Sequence, residues 1–125
     1  MHLHDVNGFF ESWNVQPGDA PFVFEVDGIT AWVATCYHVR FPELFRALAD
    51  QGAKVVPVTA HWGAGERKVD AFRLLNCARA TDTTTWIFAC DQADTRTAGI
   101  EEPSGPRLDV GQPCGVSHGD SAERN

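Results

Sequence analysis

Ala34-Thr35-Cys36-Tyr37-His38-Val39-Arg40-Phe41-Pro42-Glu43-Leu44 is the stretch that decides the fold of this 125-residue chain. Before it, Ile29 to Thr35 is β-rich, and Ala31 to Ala34 is apolar at every position, as expected of a strand buried on both faces. After it, Pro42 suits the first turn of a helix from about Phe41 to Asp50. Leu44, Phe45 and Leu48 share one side of that helix, and Gly52 stops it. Cys36 therefore stands where a buried strand ends and a helix is about to begin.

Working outward, Pro21 to Val26 is a second β-rich run, joined to Ile29 by Asp27-Gly28, a pair that tolerates the positive φ angles of a tight hairpin turn. Downstream, Lys54 to Val58 reads as a strand, Trp62-Gly63-Ala64-Gly65 as a loop, Val69 to Ala80 as an amphipathic helix and Thr84 to Cys90 as a strand. Strand, helix, strand, helix, strand is the order of an α/β domain in which helices cover a sheet. From about Asp91 the periodicity fades, and residues 101–125, rich in Gly, Pro and Ser, are expected to be irregular and disordered.

With 43% hydrophobic and 22% charged residues the composition is that of one globular domain, and no apolar run is long enough to span a bilayer. The net charge of −7 leaves few cations to displace counterions from phosphates, which excludes nucleic acid and anionic membrane as expected partners. The N-terminus lacks the basic-then-apolar layout of a signal peptide, so a cytoplasmic chain is expected. Cys36, Cys77, Cys90 and Cys114 have neither zinc-knuckle nor disulfide-framework spacing and are read as reduced thiols. Among the histidines only His2 and His4 are close in sequence, so no metal and no cofactor is expected.

A cysteine at a strand end beside a helix start is held in a defined place while backbone N–H groups point into the same space, the parts of a thiolate nucleophile with an oxyanion site. Arg40 nearby would favour the thiolate. The alternative stands beside it: an unpaired cysteine is often no more than a small buried hydrophobe. Glu43 and Arg40 have the same double reading, as site residues or as locally paired charges at a helix start. Glu11 by itself is equally well a solvated loop carboxylate.

Cys-Tyr-x-x-Arg-Phe-Pro-Glu-Leu at Cys36 to Leu44 resembles the nucleophile motif of the nitrilase superfamily of carbon-nitrogen hydrolases. Further ordered likenesses surround it: His2-Leu3-His4-Asp5, Phe10-Glu11-Ser12 with Pro17-Gly18, Ala60-His61-Trp62, Ala78-Arg79-Ala80 and Ala89-Cys90-Asp91-Gln92. The resemblance implies part of an α-β-β-α layered sandwich in residues 1–100, and hydrolysis of a small amide through a cysteine thioester. Carried over by position, Cys36 is the nucleophile, the Tyr37 backbone N–H an oxyanion donor and Glu11 a carboxylate that helps position the substrate. His61, Trp62, Arg40 and Glu43 are candidates for the substrate pocket, with Trp62 singled out because its loop should border Cys36. Association between copies of the chain is also expected from the resemblance alone.

The same resemblance sets the family's oxyanion lysine immediately before Met1 and its general-base glutamate further upstream, so an incomplete site is expected here. A catalytically inactive remnant serving as an interaction module is the rival reading. His38 replaces the family's usual Asp two places after the nucleophile and could bring a positive charge to the site.

Overall fold

A computed structural model describes Asp5 and residues 10–63, 66–92 and 115–118; the side chains of Glu11 and of residues 115–118 lie outside that description. The hairpin forms where Asp27-Gly28 indicates. Asp27 (φ 50°) and Gly28 (φ 78°) both take the positive φ of a type I′ turn. They join β1 (Phe24–Val26) to β2 (Ile29–Ala31), with Val26 opposite Ile29. β2 and the short β3 (Ala34–Thr35) both run parallel to β4 (Val55–Ala60) in one register, Ala31 opposite Val55 and Ala34 opposite Val58. They are two pieces of one path, interrupted at Trp32 and Val33.

Parallel neighbours need crossovers, and two helices supply them: α1 (Pro42–Asp50) leads from β3 to β4, and α2 (Lys68–Thr83) leads from β4 to β5 (Trp86–Asp91). α1 begins with proline in its first turn, and Gly52 (φ 92°) follows its C-terminus, as the sequence indicates. β4 and β5 extend to Ala60 and Asp91, past the ends read from sequence, and carry the ladder up to the level of Cys36. Gly115–His118, inside the stretch expected to be irregular, forms β6 and pairs antiparallel with β5, Val116 opposite Phe88.

Alternation along these strands divides the sheet into two unlike faces. Trp32, Ala34, Val56, Val58 and Ile87 point to the helical side and form the core with Phe45 and Leu48 of α1 and Phe72 and Ala80 of α2. The opposite parity presents Ile29, Val33, Trp86 and Phe88 to solvent, Phe88 being 37% exposed. Burial on both faces, expected for Ala31 to Ala34, therefore fails at Val33, which is 42% exposed because it projects away from both helices. Among the described residues no helix is long and apolar enough to cross a membrane.

Candidate active site

β3 ends at Thr35, and the chain turns sharply at Cys36, whose φ of 43° is in the left-handed region, into a 3-10 helix over Cys36–Arg40. For a residue with a Cβ that conformation costs about 1–2 kcal/mol, so the surroundings must hold it. Two contacts do so. The Thr35 N–H donates to His38 Nδ1 at 3.0 Å, and Arg79, reaching across from α2, donates from Nε to the Val39 carbonyl at 3.0 Å. Arg79 is itself fixed by Asp82, with Nη1 to Oδ2 at 2.6 Å.

His38 is buried and stacks on Trp32 with ring centroids 5.9 Å apart. Its Nδ1 acts as an acceptor toward the Thr35 backbone N–H. In this role the imidazole braces the turn at Cys36.

The loop after β4 forms the second wall. The His61 carbonyl accepts from Cys36 Sγ at 3.8 Å, a long contact of the kind sulfur makes. Next to it the Trp62 N–H donates to Asp91 Oδ1 at 2.8 Å, and the indole Nε1 donates to the Lys68 carbonyl at 3.0 Å. Trp62 is 6% exposed and packs at a tilt on Phe72, ring centroids 5.1 Å apart. The Arg40 guanidinium lies 5.1 Å from the Trp62 ring centroid and 5.3 Å from that of Tyr37, tying the loop to the 3-10 helix by cation–π attraction.

The structure thus brings Cys36, Tyr37, Arg40, His61 and Trp62 to one place at the C-terminal ends of parallel strands. Their parts differ from those expected of pocket residues. His61 meets the sulfur through its carbonyl while its side chain is exposed, and Trp62 is a core residue. Glu43 is exposed in the first turn of α1, where a carboxylate complements the helix dipole, and among the described residues it pairs with no cation.

Glu11 has its backbone in a 3-10 helix over Glu11–Trp13; its side chain lies outside the description. Ser12 beside it donates its N–H to Asp5 Oδ1 at 3.2 Å and its hydroxyl to Oδ2 at 2.7 Å, tying together two segments that the sequence presents separately. Asp91 and Arg79 brace the site without having been read as site residues. Both lie in segments that resemble the family, Ala78-Arg79-Ala80 and Ala89-Cys90-Asp91-Gln92, but the contacts they make are brought about only by the fold. Cys36, Cys77 and Cys90 are thiols, and among the described residues no three His, Cys, Asp or Glu side chains gather as metal ligands.

The carbon-nitrogen hydrolase family model matches residues 1–122. The chain belongs to that family. A hydrolase of Mycobacterium tuberculosis is 41% identical over 113 residues, 89% of this chain and 40% of that protein. Among solved structures, Saccharomyces cerevisiae Nit3, of branch 10 of the nitrilase superfamily, aligns with 86% of this chain and 36% of its own at a TM-score of 0.67. At 22% identity that likeness concerns the fold, which is the α/β fold of the nitrilase type. An amidase variant from Nesterenkonia sp. AN1 is 30% identical over 72% of this chain and 33% of its own, with a TM-score of 0.59. That protein carries the acetamide moiety of fluoroacetamide covalently on its active-site cysteine. The chain spans about two-fifths of the Mycobacterium relative and about a third of each of these structures.

Proposed function

We propose that this carbon-nitrogen hydrolase chain carries the nucleophilic part of an amidase site, with Cys36 attacking the carbonyl of a small amide. The observation that carries the proposal is the left-handed turn at Cys36, which sets a half-buried thiol between the start of a helix and the loop at His61. The thiol proton goes to a base and Sγ adds to the carbonyl carbon. The C–N bond then breaks with a proton supplied to the leaving amine, and water hydrolyses the thioester to release the acid and restore the thiol. In this scheme the Tyr37 backbone N–H donates to the oxyanion and Glu11 helps orient the substrate, in a cytoplasmic protein without metal or cofactor. The resemblance assigns no residue of this chain to the base or to the oxyanion lysine.

Fluoroacetamide tests the proposal. Attack by Sγ on its methylene carbon expels fluoride and leaves an acetamide adduct, and ordinary thiols react slowly. Intact-mass and peptide mass spectrometry of the purified chain should find the adduct on Cys36 in preference to Cys77, Cys90 and Cys114, and none at that peptide in Cys36→Ala. Equal labelling of all four cysteines, or none, would remove the catalytic assignment. It would favour the second reading, a non-catalytic module that associates through the exposed apolar side of its sheet, where Val33, Trp86 and Phe88 lie.

A further inference from the structure

The loop that faces Cys36 is secured from the far edge of the site by a residue outside the nucleophile motif. Asp91 ends β5 directly beside Ala60, the last residue of β4. Its Oδ1 accepts two backbone N–H groups, from Trp62 at 2.8 Å and from Gln92 at 2.9 Å. The first of these bonds acts on the residue next to His61, whose carbonyl meets the Cys36 sulfur at 3.8 Å. A carbonyl can aim at a thiol only if the peptide that carries it is fixed in rotation. The His61–Trp62 peptide holds both groups, its C=O directed at Cys36 and its N–H at Asp91, and because the unit is planar, fixing the N–H fixes the carbonyl.

We propose that Asp91 is a positioning residue, which sets the His61–Trp62 peptide so that its carbonyl orients and partly covers the Cys36 thiol. This rests on Cys36 being the group whose placement matters to the proposed chemistry, but its own measurement does not require Cys36 to be catalytic. The other ties on the loop act at different points. Lys68 takes the indole N–H, while Arg40 and Phe72 bracket the ring. Each of them holds the Trp62 side chain and leaves the rotation of the peptide to Asp91.

The test uses limiting iodoacetamide on the full chain, reading the labelling rate of Cys36 against that of Cys77, which is exposed on α2 and outside the loop. In Asp91→Ala the peptide is released and the Cys36-to-Cys77 ratio should rise by about tenfold, the equivalent of a hydrogen bond to an ionised acceptor. Asp91→Asn keeps an oxygen acceptor at the same place and should return the ratio to near the original value. Circular dichroism melts accompany both variants. A fall in melting temperature with an unchanged ratio would mean that Asp91 is only structural and would overturn the proposal, as would Asp91→Asn behaving like Asp91→Ala. If Cys36 fails to react with fluoroacetamide while the ratio still shifts, the nucleophile assignment is lost and the positioning of the peptide stands.

Discussion

The two faces of the sheet come from the same strands and nearly the same residue types, yet only one of them is a core. On the helical side Val56, Val58 and Ile87 meet Phe45, Leu48 and Phe72 and are removed from solvent. On the other side Val33, Trp86 and Phe88 are just as apolar and remain substantially exposed. The difference teaches that apolar composition in a strand specifies what a face is able to bury, while the layers present decide what it does bury. A nitrilase-type sandwich has two sheets face to face, and a chain spanning about two-fifths of its Mycobacterium relative, with helices on one face of one sheet, exposes the side on which a second sheet would pack.

The contrast is sharpest between consecutive residues. Ile87 is 0% exposed, and Ile87→Ala should cost about 2–5 kcal/mol through lost transfer energy and a residual cavity, read from the midpoint of a urea transition. A loss under about 1 kcal/mol would mean that the helical side is not a close-packed core. Arg79→Ala follows, at about 2–3 kcal/mol, since it removes the donor to the Val39 carbonyl and leaves that buried acceptor and Asp82 without this partner. The same variant should loosen the turn at Cys36, and an unchanged stability would show that the turn is held from elsewhere. Phe88→Thr, one residue from Ile87 but on the exposed face, should change stability by about 1 kcal/mol or less and increase solubility. A loss comparable to that of Ile87→Ala would mean that this face is covered in solution.

The side that packs was the more legible of the two. Asp27-Gly28 announces its turn because the required φ angles exclude most other pairs, and Pro42 and Gly52 bracket α1 because each acts through its own backbone. Cys36 could be placed at a strand end because Ala31 to Ala34 and Pro42 are local signals. What holds it there could not be read. Arg79 reaches Val39 across 40 positions and Asp91 reaches Trp62 across 29, and local patterning carries no information about such pairs. Val33 departs from the sequence expectation for a related reason, since an apolar residue looks the same in sequence whether or not a layer lies over it. The loop of Trp62 borders Cys36 through the His61 carbonyl, but the burial of Trp62 depends on Phe72 and Lys68, which only the fold brings near. β6 escaped notice because four residues in a Gly- and Pro-rich stretch gain strand structure only from the edge of β5.

The smallest expected effect concerns a polar residue inside the packed side. Asn76 is 2% exposed on α2; its Nδ2 donates to the Phe72 carbonyl at 2.8 Å, and among the described residues its Oδ1 has no partner. The Phe72 carbonyl lies one turn back along the helix, so the bond made by Nδ2 adds little to what the backbone already provides. The buried Oδ1 carries a desolvation penalty of roughly 1–3 kcal/mol with nothing to offset it. Replacing the amide by a hydrocarbon of similar volume removes both terms, and Asn76→Leu should therefore be as stable as the original chain or more so, within about 1 kcal/mol. A loss beyond about 2 kcal/mol in the same urea transition would mean that Oδ1 is satisfied in solution, and that the helical face contains a polar contact as specific as the one Arg79 makes to the turn at Cys36.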